Sequence, residues 1–151
     1  MAKLQIRKIG DEVLRKTCRP VDAITPRIHT LLDDMTETMR AADGCGLAAP
    51  QVGILRRIVV IEVEPGVVHE FINPKIVAFS GEQEGQEGCL SVPGRWGITR
   101  RPQHVTVEAL DRHGNTIQVT GHDLLAKAIC HELDHLDGKL YIDCAISMDE
   151  D

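Results

Sequence analysis

The residues with the clearest chemical potential are His131 and His135, which flank Glu132 in a His-Glu-x-x-His pattern. On an α-helix, residues i and i+4 project from the same face, so both imidazoles can bind one metal ion. Glu132 lies on a neighbouring stripe, within reach of a water molecule on that metal. The pattern therefore predicts metal-assisted hydrolysis, in which the metal generates a nucleophile near neutral pH.

A catalytic metal usually takes three protein ligands and leaves one position for water. Cys89 is the candidate for the third ligand, because it follows a glycine-rich stretch at 80–88 where the backbone can turn sharply. A lone cysteine far from the helix has no characteristic spacing, however. A buried loop cysteine is therefore an equal alternative at this point.

The glycine-rich segment 44–53 is a second candidate for binding, because small residues let the backbone approach a substrate closely. It contains no lysine and is not a phosphate loop of the Gly-x4-Gly-Lys type. Within it, Gln51 offers an amide N–H that could stabilise an oxyanion. From these residues alone a tight connection with a surface glutamine is the favoured interpretation, since such loops are common connectors.

Composition limits the class of protein. A chain of 151 residues suits one domain, and its net charge of -6 argues against nucleic-acid binding through a basic surface. No apolar run approaches the roughly 20 residues that span a bilayer, and residues 1–10 lack the apolar run of a signal peptide. We therefore expect a cytoplasmic protein that does not bind membranes. The five cysteines fit free thiols, of which Cys18, Cys130 and Cys144 are expected to be small packing residues.

Two helices should position these groups. The first is predicted to begin at Pro26, capped by Thr25, and to end near Gly44. The second is predicted over 122–136, where Leu124 and Ala128 share the stripe of the two histidines, so that the ligands point inward.

Several strands are predicted between the helices. Segments 57–63, 71–79, 104–110 and 116–120 are rich in β-branched residues or alternate in polarity, and the last two form a hairpin. Asn73-Pro74 predicts an edge position or a bulge. One helix, many strands and a second helix indicate an α+β fold.

Segments 44–51, 87–91 and 131–135 resemble the three motifs of the peptide deformylase family, in the same order and at similar spacing. The resemblance covers about residues 4–143. It implies an α+β fold in which antiparallel strands pack around a central metal-binding helix. We expect a catalytic domain at 1–146, followed by a short acidic tail at 147–151 that is frayed.

The resemblance also implies a reaction, the removal of the N-formyl group from the formyl-methionine of nascent proteins with release of formate. Cys89 becomes the third ligand beside the two histidines, and Glu132 the general acid and base. Glu132 would take a proton from metal-bound water, and the resulting hydroxide would attack the formyl carbon. The Gln51 amide and the Leu90 backbone N–H would stabilise the oxyanion. The family favours Fe²⁺, and the donor set also suits Zn²⁺, Ni²⁺ or Co²⁺.

The implied partner is an N-formyl-Met peptide, bound extended like an added strand. Cys45, Leu124 and Ala128 match positions that line the apolar methionine pocket, and the Gly46 backbone is an expected peptide contact. Many bacterial relatives have a longer C-terminal helix that docks near the ribosomal exit. Because that extension is missing or reduced here, ribosome association is a weak expectation.

Residues near the pocket rim depart from familiar family members. Trp96, preceded by Arg95, stands where some relatives have an arginine, and it is either a hydrophobic wall near the entrance or an exposed loop aromatic. Gly85 replaces a larger apolar residue. Glu87 and Asp134 either support the site, by fixing a ring tautomer or pairing with a base such as Arg101, or are solvated surface charges.

Two other functions share part of this pattern. Zinc peptidases also use His-Glu-x-x-His, but they usually take a third His or Glu, so Cys89 and the Gln51 segment argue against them. A metal-stabilised structural domain is the non-enzymatic alternative. Structural zinc sites normally have four protein ligands, no fourth ligand is evident near the three, and Glu132 would serve no purpose there.

Overall fold

The computed structural model describes residues 3–149, which form an α+β fold, as predicted. The helices are α1, Pro26–Ala41, and α2, Leu124–Leu136. The strands are β1, Gly46–Ala48; β2, Ile58–Ile61; β3, His69–Ser80; β4, Gln83–Cys89; β5, Val92–Arg101; β6, His104–Leu110; β7, Thr116–His122; and β8, Ser147–Met148. Short 3₁₀-helices lie at Glu12–Arg15, Ala49–Val52 and Tyr141–Asp143. In this part of the chain no helix is long and apolar enough to cross a membrane.

Five strands form an antiparallel sheet in the order β1-β2-β3-β6-β7, with a helix on each face. Along β2, Ile58 and Val60 pack in the cluster that holds the α1 side chains Leu32, Met35 and Met39. Val59 and Ile61 pack in the cluster that holds the apolar side chains of α2. Burial on both faces explains why this strand is a continuous Ile/Val run rather than an alternating one.

A second, three-stranded sheet has the order β4-β5-β8, and sequence reasoning missed it. The glycine-rich stretch at 80–88 was expected to turn sharply. Instead, Gln83–Cys89 is a strand that pairs with β5 from Gln83↔Arg101 to Gly88↔Trp96. The repeated Gly and Glu of this strand carry little β-propensity, which is why its pattern is not that of a strand. Trp96 accordingly lies in a strand and not in a loop.

The helix boundaries differ slightly from the predicted ones. Thr25 occupies the N-cap position of α1 but its side chain makes no capping bond, and the helix ends at Ala41, before Gly44. Helix α2 begins at Leu124 rather than at residue 122, after Asp123 with a positive φ of 55°. Leu124 is 49% exposed, so it does not share the burial of Ala128 that we expected.

The Asn73-Pro74 pair forms a bulge and not an edge. The β3–β6 register shifts between Ile72 and Lys75, and β3 lies between β2 and β6. Asn73 adopts a φ of 52°, and its side chain bonds the backbone N–H and C=O of Val21 at 2.8 and 2.9 Å. These two bonds stabilise the left-handed conformation in which the strand bends.

The expected fraying after residue 146 is wrong for the first residues of the acidic segment. Ser147 and Met148 pair with β5, and the Asp149 N–H donates to the Trp96 carbonyl at 2.9 Å. The remainder of the predicted tail, 150–151, lies outside the described residues, and a domain boundary at 146 stays a prediction. Cys18 and Cys130 are buried as expected, but Cys144 is exposed.

Candidate metal centre

Helix α2 and strand β4 bring the three predicted ligands together. The ligand atoms of Cys89, His131 and His135 all lie within 4.8 Å of one another, and both imidazoles are buried. The Cys89 Sγ lies 3.4 Å from the His135 Nε2, and the two imidazole centroids are 5.0 Å apart. The histidines converge because they are one turn apart on α2. Cys89 reaches them because β4 ends beside that turn.

The donor set fits a divalent, borderline-soft metal ion. One thiolate and two imidazole nitrogens suit zinc or ferrous iron. The Nδ1 of His131 is engaged by Glu87, which leaves its Nε2 for a metal. Among the described residues the group has three members, the number of protein ligands typical of catalytic sites, whereas structural sites usually have four.

A buried polar network fixes the orientation of His131. Glu87 Oε1 lies 2.8 Å from the His131 Nδ1, and Arg101 binds both Glu87 oxygens, at 2.7 and 3.0 Å. Thr99 donates to Glu87 at 2.5 Å, and Asp134 accepts from Arg101 at 2.9 Å. Burial opposes ionisation of Glu87, but hydrogen bonds from His131 and Arg101 lower its pKa to about 2. Glu87 and Asp134 therefore both support the site through their contacts with Arg101. Glu87 is not a solvated surface charge.

Glu132 is buried beside the ligands, directly under β1. Its Oε2 lies 4.0 Å from the His131 Nε2, and its Oε1 is buried without a hydrogen-bond partner among the described residues. Burial raises the pKa of this carboxyl to about 7. A Cβ at Gly46 would overlap the Glu132 carboxylate, so only glycine lets β1 pass this closely.

Gln51 is 1% exposed, which overturns its interpretation as a surface residue. Its Oε1 accepts the Ala48 N–H at 2.9 Å, and its Nε2 donates to the Ser91 Oγ at 3.0 Å and lies 3.5 Å from the Cys89 Sγ. The bond from Ala48 fixes the orientation of the amide, with the NH₂ group toward the metal ligands. Leu90 follows Cys89 in the β4–β5 turn, and a Cβ at Gly44 would meet its side chain at 2.6 Å. Segments 44–51 and 87–91 therefore lie against each other at the site.

A cleft of about 530 Å³ opens onto this centre. Its walls include every residue predicted to bind the peptide: Cys45, Gly46, Leu124 and Ala128. The exposure of Leu124 is explained by its place on this wall. Trp96 is 39% exposed on β5 and, within the described part of the chain, is not among the residues that line the cleft. The structure therefore does not support a tryptophan wall at the entrance.

Sequence reasoning missed three polar contributors. Ser91 binds Gln51, Thr99 binds Glu87, and Tyr141 stacks on His131 with centroids 5.9 Å apart. Ser91 lies inside the motif 87–91, so its position was a usable signal. Thr99 and Arg101 are two residues apart on β5, so their side chains share the inward face of the strand. This spacing becomes a signal only once the segment is known to be a strand.

Three converging ligands, a buried carboxylate and an oriented amide at the floor of a cleft define a metal-dependent hydrolase. Comparison with known proteins then identifies the family. The family model for polypeptide deformylase matches residues 3–151. The peptide deformylase of Caldanaerobacter subterraneus subsp. tengcongensis is 58% identical over 146 residues, which cover 97% of this chain and 91% of that protein.

Solved structures agree. The crystal structure of a peptide deformylase from Legionella pneumophila has a TM-score of 0.92 and 44% identity, covering 94% of this chain and 85% of that one. The deformylase from Synechococcus elongatus in complex with actinonin has a TM-score of 0.91 and 40% identity, covering 94% and 78%. The chain belongs to the peptide deformylase family, as its three motifs predicted, and it is an enzyme of that family.

Proposed function

We propose that Cys89, His131 and His135 hold one divalent metal ion, with which this enzyme removes the N-formyl group from the formyl-methionine of nascent peptides and releases formate. The observation that carries the proposal is the convergence of these ligands with Glu132 and Gln51 at one cleft. When bound, such an ion would lower the pKa of a water molecule toward neutrality and would polarise the formyl carbonyl.

Glu132 is the general base and then the general acid. Its buried Oε1 has no partner in the described part of the chain, so it is free to accept a proton from the attacking water. The same carboxyl then delivers that proton to the departing amine of methionine, as microscopic reversibility requires. Gly46 holds it in place, because β1 closes over the carboxylate.

Gln51 and Leu90 stabilise the negative charge on the formyl oxygen. The Gln51 Nε2 carries two hydrogens, of which Ser91 accepts one. The second is directed toward the Cys89 Sγ, and therefore toward the position of the reacting group. The Leu90 backbone N–H, in the adjoining turn, supplies the second donor. Loss of one such donor typically costs ~10²–10³ in rate.

The free edge of β1 is suited to an extended peptide. Among the strands that the structure describes, β1 is the terminal strand of the five-stranded sheet and pairs only with β2. A substrate can therefore add as a further strand beside Gly46. Its methionine side chain then lies against Cys45, Leu124 and Ala128.

We further propose Fe²⁺ as the metal, with Zn²⁺, Ni²⁺ or Co²⁺ as substitutes, because the mixed thiolate and imidazole set accommodates each. The free cysteines fit a reducing cytoplasm. Association with the ribosome stays a prediction.

The test is anaerobic formate release from formyl-Met-Ala-Ser by the iron-loaded protein and by its Glu132→Gln variant. We expect the variant to retain stoichiometric iron and to lose nearly all turnover. Glu64→Gln, at an exposed position, is the matched control and should keep full activity. Full activity in Glu132→Gln would refute the assigned base. Cleavage of unformylated Met-Ala-Ser would instead indicate a peptidase.

A further inference from the structure

Lys127 places a positive charge on the α2 wall of the cleft. The residue precedes Ala128 and lies three positions after Leu124, so its side chain emerges between the two apolar residues of that wall. Its ammonium donates to the Gln86 carbonyl at 3.0 Å. In the part of the chain that the structure describes, Lys127 forms no ion pair, so its charge is not neutralised by a neighbouring carboxylate.

Strand β4 leaves room for this ammonium at Gly85. A Cβ at Gly85 would lie 2.8 Å from the Lys127 Nζ, so a larger residue at Gly85 would displace the ammonium. The charge also acts across the cleft on Cys45. Burial and the charge of Glu132 raise the pKa of the Cys45 thiol, and the positive charges of His131 and, to a smaller extent, Lys127 oppose that rise. Gly85 and Lys127 thus form a complementary pair, in which the missing side chain of the glycine makes room for the ammonium.

Other charged groups also line the cleft, and they do not cancel the charge on this wall. Glu132 lies under β1 at the metal centre, and Glu87 is paired with Arg101. Asp43 and Lys8 line the cleft as well, with opposite charges. The α2 wall therefore presents a cation next to the residues that receive the methionine side chain.

The period of an extended chain determines which substrate residue meets this cation. Successive side chains of a strand point to opposite faces, so the first and third residues share a face and the second does not. With methionine against Ala128, the third side chain points toward the α2 wall. It lies roughly 7 Å from the methionine side chain along the extended peptide, because each residue adds about 3.4 Å. Gln86, which binds the ammonium, lies about 10 Å from Cys89 along β4, three residues away.

We propose that Lys127 is a specificity-determining residue that favours formyl-Met peptides with a carboxylate side chain at the third residue. The preference is positional, since a carboxylate at the second residue points away from the α2 wall. This inference rests on the proposed function, because it assumes the extended peptide and its methionine pocket.

The experiment compares kcat/KM for four amidated peptides: formyl-Met-Ala-Asp, formyl-Met-Ala-Asn, formyl-Met-Asp-Ala and formyl-Met-Asn-Ala. Amidation removes the terminal carboxylate, which would otherwise place a negative charge beside the third residue in every peptide. We expect the Asp/Asn ratio at the third position to be about two to five, the range for a partly exposed ion pair, and to arise mainly in KM. The ratio at the second position should be near one. The third-position ratio should shrink in 0.5 M NaCl, because salt screens exposed charges.

Three variants assign the source of the preference. Lys127→Met, which keeps the apolar stem, should bring the third-position ratio to about one, and Lys127→Glu should invert it. Lys75→Met, an equal change of net charge on the distant strand β3, should leave the ratio intact. Equal ratios in the parent and in Lys127→Met would overturn the inference, as would loss of the preference in Lys8→Met alone. Absence of formate release from all four peptides would instead refute the proposed function.

Discussion

The two sheets of this enzyme differ in the balance of apolar and polar contacts that stabilises them, and each delivers a different part of the metal centre. The five-stranded sheet packs apolar side chains on both faces, so α2 and its two histidines rest on a continuous hydrophobic core. The β4-β5-β8 sheet packs on a smaller apolar cluster, to which it contributes Cys89, Val92 and Met148. It also depends on the buried polar contacts of Glu87 with Arg101 and Thr99.

This difference separates stability from metal affinity. Loss of an apolar contact in the large sheet should lower the free energy of unfolding while the ligand geometry survives in the folded molecules. Loss of a polar contact in the small sheet should loosen Cys89 and His131 relative to each other, because Glu87 lies on the same strand as the thiolate. We therefore expect metal affinity to be more sensitive to substitutions in the small sheet than to substitutions in the large one.

The strongest test of the comparison is Arg101→Met. The substitution leaves the Glu87 carboxylate buried without its cation, and removal of one partner of a buried pair typically costs about 3–5 kcal/mol of unfolding free energy. Because Glu87 orients His131, metal affinity should also fall by about 10- to 100-fold. Urea unfolding of the metal-stripped protein and a competitive chelator titration measure the two effects.

Arg100→Met is the matched control, because the neighbouring arginine pairs with Glu82 and Glu84 on the exposed face of the same hairpin. Exposed pairs contribute roughly 0–1 kcal/mol, so this variant should resemble the parent in both measurements. Equal losses in the two variants would contradict the idea that the buried network stabilises the small sheet.

The same contrast explains which elements were predictable. Strand β6 was predicted with its observed bounds and β2 within two residues at either end, because apolar patterning drives both into the large sheet. Strand β4 was missed because its residues, Gln-Glu-Gly-Gln-Glu-Gly-Cys, have no apolar alternation. Its pairing depends on a partner strand and on Arg101, which is 14 residues away from Glu87.

Met35→Ala tests the apolar half of the comparison. Met35 is fully buried where α1 packs on the large sheet, and removal of a large buried side chain costs about 2–5 kcal/mol. We expect reduced unfolding free energy with metal affinity and kcat/KM unchanged at 25 °C, because α1 contributes no residue to the ligand set. The same urea and chelator titrations measure this. A loss of metal affinity comparable to that of Arg101→Met would show that the two sheets are not separable.

The site was predictable to the extent that its spacing was local. His131, Glu132 and His135 lie on one helical turn, so geometry alone brought them together. Gln51 was misjudged from its own segment, because its burial comes from Ala48 and from Ser91, which is 40 residues away. Only the resemblance of all three motifs to the peptide deformylase family changed the interpretation of Gln51 from a surface residue to an oxyanion donor. The position of Trp96 away from the cleft depends on strand pairing that no single segment contains.

The smallest expected effect belongs to the contact that joins the two sheets, between Gln51 and Ser91. In Ser91→Ala the Gln51 amide loses one acceptor but keeps the Ala48 bond that orients it. A lost hydrogen bond is worth ~1 kcal/mol, which corresponds to a roughly fivefold lower kcat if the amide acts in the transition state. Steady-state formate release should show this decrease with KM nearly constant, whereas Ser147→Ala on β8 should show none. An unchanged kcat in Ser91→Ala would mean that Ala48 alone holds the Gln51 amide, so that this donor is positioned entirely from the large-sheet side of the cleft.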